Sequence, residues 1–537
     1  MRRHVSTQVL IALSMVSLLA ACTNDKEPAA VESTKKVEKF NVSGLPIVNE
    51  KISLTASILK AAHHGDFNDM EMVKRLEKLT NVHIKWDQIP SESIKERNNL
   101  MFASHELPDI FFAGLNSIEV VQYGSQGLLV PLNDLIDKYA PNIKKFLNEN
   151  PNVKKAATTP DGKIYALPWV YNQPYFEYRN SFFLNQEWLK KLNLKAPTTT
   201  EELYTVLKAF KEKDPNGNGK ADEIPLGMIY SNLNNSHHVL YGAFGVLEPT
   251  GSKLAVVDGK VRYEPVQPAY KEAITYFHRL YQEGLIDLEA FTQDQKKYNA
   301  KIANKDVALY GSFTSFNGGE TGSNERLAQY VPIEPVAGPS GDRFWRRQDN
   351  RMQLNYFSIS SSNKHPEISM RLADAMNEGE LKYELHRGPF GTHLTKSADG
   401  KITEVAPPAS ESQAVFKGKV APLNFIPLLF SSKEALNVVE SAANDARNVA
   451  YETIYKDNIV PEKNTYPSTV YSTLEEADKL KVLDLDIDSY VSEMEVKWIV
   501  RGGIDEEWDN YIKEINSMGL KDKLKIHQGI YDRYMKN

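Results

Sequence analysis

A single cysteine, Cys22, occurs in 537 residues. One thiol can build neither an intrachain disulfide nor a thiolate zinc cluster, so burial must stabilise the fold. Beyond the first two dozen residues no apolar run approaches the length of about 20 that a spanning helix needs, so the body of the chain is expected outside the membrane. Excess positive charge is missing too: 64 Lys and Arg face 70 Asp and Glu, a formal net charge of −6. Both signs are spread along the chain, which argues against nucleic acid as a partner. No HExxH pair, no phosphate-cradling Walker loop and no GxSxG elbow is present, and these absences favour a non-enzyme. Nothing recurs at a period of about 20 to 50 residues, which excludes solenoids and propellers. The run Asp505-Glu506-Glu507 reads as a solvated helix start rather than a glycosidase acid and base, whose carboxyl separation a sequence cannot supply. His63-His64 and His237-His238 are neighbours that point to opposite faces of an extended segment, and neither pair is read as a metal site.

What is present starts with MRRHVSTQVLIALSMVSLLAAC, a basic start, an apolar run and small residues ending in cysteine. Residues 1–21 are expected to be a signal peptide, because the run Val9 to Leu19 is too short for a permanent span. Leu19-Ala20-Ala21-Cys22 resembles a bacterial lipobox, which implies cleavage before Cys22 and acylation of that residue. Loss of Arg2 and Arg3 takes the net charge from −6 to −8. Residues 22–47 are polar with little periodicity and read as a tether of about 25 residues, with a mean reach of ~25 to 30 Å.

In the body, Ile52, Leu54 and Ala56 alternate with polar residues as in a strand. Met72, Val73, Leu76 and Leu79 recur at helical spacing, and Val82, Ile84 and Trp86 alternate again. Strand, helix and strand in that order predict a parallel βαβ unit. Leu107-Pro108-Asp109-Ile110-Phe111-Phe112, a short apolar run, reads as the next buried strand and Lys163 to Leu167 as a further one, after an Asp161-Gly162 turn. A helix is expected from Thr199, a capping residue, with Leu203, Val206, Leu207 and Phe210 on its buried stripe.

That helix runs into Asp-Pro-Asn-Gly-Asn-Gly-Lys-Ala-Asp-Glu, residues 214–223. Calcium takes six to eight oxygens at about 2.3 to 2.6 Å, and a glycine at the sixth position permits the sharp turn around it. The expected ligands are the side chains of Asp214, Asn216, Asn218, Asp222 and Glu223 and the carbonyl of Lys220. Pro225 occupies the place of the usual twelfth-position glutamate, so Glu223 is read as closing the site. A loop tying a helix to the next segment points to a structural calcium ion rather than one that activates water.

Leu107-Pro108-Asp109-Ile110, Asp161-Gly162-Lys163-Ile164-Tyr165-Ala166-Leu167-Pro168, Gln186-Glu187-Trp188-Leu189-Lys190-Lys191-Leu192 and Lys211 to Pro225 together carry a family resemblance. The chain resembles the extracellular solute-binding proteins of carbohydrate ABC importers, in their Gram-positive lipoprotein branch, and is similar to calcium-containing alginate-binding proteins. The resemblance implies an α/β fold of two lobes with hinge crossings, a Venus flytrap with discontinuous lobes. The expected parts are lobe 1 at 48–168 and 353–405 and lobe 2 at 169–352 and 406–537. It also implies an oligosaccharide ligand, ABC permease subunits as partners, a monomer, and a lipid anchor on the extracytoplasmic face.

Sugars present apolar ring faces and many hydroxyls, so flat aromatic rings are candidate contacts. Trp169, Tyr171 and Tyr175 follow the expected first crossing, and Phe313 and Phe316 resemble the place of a stacking aromatic in maltose-type binders. Trp345 and Arg346 lie in RFWRRQDNR, whose four arginines could hold a uronate carboxylate. An oligopeptide-binding lipoprotein is the alternative reading, and a secreted glycoside hydrolase or lyase a more distant one.

Overall fold

The computed structural model describes residues 40–248, 250–348, 352–408, 410–439 and 442–536. The expected signal peptide, Cys22 and most of the tether lie outside the described residues.

The predicted βαβ unit forms. The strand Ile52–Lys60 pairs in parallel with Val82–Pro90, Ile52 opposite Val82, and the helix Glu71–Thr80 joins them. Met72, Val73 and Leu76 of that helix are buried, whereas Leu79 faces outward. Ile110–Phe112 adds in parallel on the other side of Ile52–Lys60. Three further strands complete a six-stranded sheet, in the order 429–430, 167–171, 352–359, 110–112, 52–60 and 82–90. Met352–Ile359 runs antiparallel to both of its neighbours, so all the other strands of the sheet point the same way.

The strand expected at Lys163 to Leu167 lies four residues later, at Leu167–Tyr171. Local polar bonds hold the earlier stretch out of a ladder. Asp161 accepts from the Lys163 amide and the Thr159 hydroxyl, and the Ile164 amide donates to Asn133 Oδ1.

A second sheet orders 330–332, 181–185, 310–315 and 224–227. Its strand Ser181–Asn185 runs antiparallel to Tyr310–Ser315, which is parallel to Ile224–Gly227. The helix Thr200–Glu212 begins as expected, Thr199 accepting from the Glu202 amide at 3.1 Å. Glu202 reaches back to Thr198 instead of to the cap itself. The helix Leu474–Arg501, opened by a capping box of Thr473 and Glu476, packs against Pro268–Gln282 through Ile487, Val491, Trp498 and their neighbours.

Each sheet has its own buried cluster, one built around Ile58, Phe112, Phe357 and Phe430, the other around Phe183, Phe210, Phe277 and Trp498. The chain leaves the first cluster after Tyr171, returns at Met352 and leaves again beyond Val438. That last departure lies later than the crossing expected near Val405. Leu428, Leu429 and Phe430 are fully buried in the first cluster, and Leu429 pairs with Val170. Tyr451 and Tyr455 are then in the second.

Candidate functional site

Parallel strands present their carboxyl ends, with the loops that follow them, at one edge of a sheet, and ligands of open α/β sheets collect there. In the first sheet that edge carries residues 61–67, 113–115 and 172–174. In the second it carries Met228 and Phe316, together with Arg179 and Asn180, which lead into the antiparallel strand Ser181–Asn185. The connection 172–180 therefore runs from this edge of one sheet to that of the other.

The connection contains a short helical turn, Pro174–Tyr178. Phe176 lies 6.1 Å from Tyr171 of the first sheet and 6.4 Å from Phe316 of the second. The Arg179 guanidinium sits over both phenylalanine rings, 4.4 Å from Phe176 and 4.7 Å from Phe316, and donates to Asn448 Oδ1 at 3.2 Å. A cation over aromatic faces contributes about 0.5 to 2 kcal/mol, more as water is excluded.

Two residues at these edges have strained backbone. Ala113, at the end of Ile110–Phe112, has φ of 52°, and Asn180 has φ of 72°; such values are sparsely populated outside glycine and cluster at functional sites. Asn180 is buried, yet neither atom of its amide has a hydrogen-bond partner. His64, in the loop after Ile52–Lys60, shows a similar pattern. Its Nδ1 accepts from the Ala61 amide at 3.3 Å, which places the proton of the neutral ring on Nε2, a buried donor without a partner. Phe67 and Phe425 pack edge-on against the ring. Burial, followed by the neighbouring His63 and Lys60, pushes the His64 pKa down to about 3.

The sequence-derived candidates separate. Tyr175 and Phe316 are half-buried at the junction, and burial together with Glu452 and Asp445 raises the Tyr175 phenol. Trp169 and Tyr171 lie in the first core, their rings 6.2 Å apart and packed on His386. Trp169 Nε1 is buried without an acceptor. Phe313 is fully buried and stacked on Phe183, because its side chain alternates into the core from a central strand. Trp345 stacks on Tyr455 at 4.4 Å. Arg346 donates to both oxygens of Glu248, so this guanidinium is already paired. A cavity of about 650 Å³ opens beside the junction, its lining including Val170, Asn172, Glu177, Arg347 and Met352.

Residues 214–223 form a compact oxygen-rich turn. Asp214 accepts from the amides of Gly217, Asn218 and Gly219, and the Asn216 and Asn218 side chains both donate to Asp222. Glu223 Oε1 is buried with no partner, and burial raises the Glu223 pKa, with Asp214 and Asp222 adding to the rise. A buried, unsatisfied carboxylate oxygen beside two more carboxylates fits a bound cation.

The family of bacterial extracellular solute-binding proteins matches residues 65–378. The chain belongs to that family. The fructooligosaccharide ABC transporter substrate-binding protein FusA of Streptococcus pneumoniae is 32% identical over 99% of this chain and 98% of its own. Its structure in complex with kestose superposes with a TM-score of 0.75, covering 90% of this chain and 100% of that one at 31% identity. A second FusA structure, of an EF-hand mutant, holds fructo-nystose and covers the same shares of both chains with the same identity and TM-score. An HMO-binding ABC-transporter-associated solute-binding protein of Bifidobacterium longum infantis, 25% identical, has a TM-score of 0.80 over 90% of this chain and 99% of that one. The lipoprotein LipO of Bacillus subtilis is 30% identical over 62% of this chain and 65% of its own. The solute-binding protein thus has the expected two-lobe α/β fold, and its family works by binding rather than catalysis. Among the described residues no helix is long and apolar enough to cross a membrane.

Arg179, Asn180, Phe176 and Ala113 were not among the sequence candidates, since strain and missing partners leave no trace in composition. His63-His64 was visible as a pair, and the strand before it placed it at a sheet edge. The pH dependence follows from His64. The unfolded ring takes up a proton near its usual pKa of about 6.5, which the folded ring refuses until about pH 3. Its contribution to stability is therefore complete above pH 6.5 and is lost as pH falls toward 3. The wild-type melting temperature should fall more steeply on acidification than that of His64→Gln; equal slopes would contradict this assignment.

Proposed function

We propose that this protein captures a soluble oligosaccharide between its lobes and delivers it to the permease of an ABC importer, held at the outer membrane face by a lipid on Cys22. The observation that carries this reading is the 32% identity to FusA along 99% of the chain. The sheet edges joined by 172–180 support this reading: half-buried Phe316 and Tyr175 offer ring faces, and Asn180 and His64 offer unpartnered polar atoms. The lobes in this reading are 48–171 with 352 to about 439, and 181–348 with the residues beyond, meeting at the 172–180 connection. Closure stabilises the bound state only as far as the sugar gains contacts in the shut form.

A uronate ligand finds less support than a neutral one. Arg346 is engaged by Glu248, and Arg347 is paired with Glu177. Isothermal titration or thermal shift with kestose, an oligogalacturonate and short peptides separates the readings. Kestose at 100 times its dissociation constant should add ~2.7 kcal/mol. A response to peptides alone would overturn the carbohydrate reading, and shortening of the sugar on incubation would restore the hydrolase one.

The 214–223 loop is proposed to hold a structural calcium ion through Asp214, Asn216, Asn218, Asp222 and Glu223 side chains and the Lys220 carbonyl. The orphaned Glu223 oxygen supports this, as does the existence of an EF-hand mutant of FusA. Chelation should lower the melting temperature and Glu223→Gln should abolish that response; an unchanged melt with chelator would remove the ion from the reading. For the anchor, Cys22→Ser should move the protein from the membrane pellet to the soluble fraction, and retention in the pellet would argue against lipidation.

A further inference from the structure

His237 and His238 do not point apart as neighbours in an extended segment would. They lie in the single helical stretch His237–Phe244, and both turn their Nε2 atoms toward Glu495 Oε1, at 3.3 and 2.8 Å. Tyr241 places its hydroxyl 2.8 Å from the same oxygen and 3.1 Å from His237 Nε2. His237, Tyr241 and Glu495 are at most 1% exposed and His238 is 5% exposed, so the cluster is closed off from bulk solvent. From these four side chains we infer a buried site for a zinc-class divalent cation, separate from the sugar junction and from the oxygen-lined loop.

The donor set is the first argument. Two imidazoles and a carboxylate are a ligand set zinc accepts, at about 2.0 to 2.2 Å in a tetrahedron whose edges are then roughly 3.3 to 3.6 Å. Of the four edges given above, the two at 2.8 Å must open by roughly 0.5 to 0.8 Å and the two at 3.1 and 3.3 Å by less. Calcium, which requires six or more oxygens, does not fit here.

Proton accounting is the second. Ser236 Oγ lies 2.8 Å from His238 Nδ1 and 3.3 Å from the Leu233 carbonyl. Its single hydrogen satisfies both contacts only if it donates to the carbonyl and accepts from His238 Nδ1–H. The Nε2 lone pair of a neutral His238 then faces a carboxylate oxygen, an arrangement that calls for a positive charge between them. Ser236 would thus orient a ligating imidazole in the way metal-bound histidines are usually held. His237 Nδ1 has no partner, so nothing in the fold fixes the proton on that side of its ring. On the far side Tyr270 donates to Glu495 Oε2 at 2.8 Å, fixing the carboxylate so that Oε1 faces the imidazoles.

A sealed ion of this kind joins the helix Leu474–Arg501 to the 237–244 stretch and is taken up as the chain folds. The test uses the signal-free protein purified without a histidine tag, refolded with cobalt(II) or zinc in the presence of excess calcium, which fills the oxygen-lined loop. Metal analysis should find about one zinc per chain, with intense visible absorption from four-coordinate cobalt, and both should be lost in His238→Gln and Glu495→Gln. Should Glu495→Gln fail to fold, the wild-type cobalt spectrum and His238→Gln still decide. Wild-type protein that binds no zinc, or cobalt with only a weak six-coordinate spectrum, would overturn the site and leave a proton between Glu495 and the imidazoles.

Discussion

The carboxyl ends of the parallel strands in both sheets are tied to one another by the short connection 172–180, and most of the functional geometry depends on that tie. The chain leaves the first sheet at Tyr171 and enters the second at Ser181, so the two edges must lie close. Arg179 occupies the junction with one ring from the connection and one from the second sheet. Strained backbone at Ala113 and Asn180 is tolerated because packed strands on either side over-determine it.

Polar groups inside the two cores serve a different purpose. Arg387 is buried with Glu404 in the first lobe, and Glu495 is buried among tyrosines and histidines in the second. Desolvation makes such groups weak contributors to net stability, but removing one partner leaves the other costly to bury. They therefore restrict which helices can meet. In a chain with one cysteine and no intrachain disulfide, such buried polar contacts take on that restriction together with packing.

Periodicity made much of the first lobe legible. Ile52, Leu54 and Ala56, then Met72, Val73 and Leu76, then Val82 and Ile84 announce strand, helix and strand, and the structure pairs them as such. The strand forms at 167–171 and not at 163–167 because side-chain bonds from Thr159, Asp161 and Asn133 compete with the ladder. Aromatic residues were the least legible. Phe313 and Phe316 differ by three positions, yet one packs in the core and the other lies at the junction, because the strand ends between them.

The sequence by itself determined the βαβ start, the oxygen-rich order of residues 214–223, and the family. Each is written in residues close along the chain, where spacing alone sets which side chains share a face or a turn. Only tertiary structure decided that Leu429 belongs beside Val170, that Arg346 meets Glu248, and that Glu495 meets two histidines some 250 residues away. Such pairings depend on how two sheets and a long helix pack in three dimensions, and no local pattern records the partner of a buried charge.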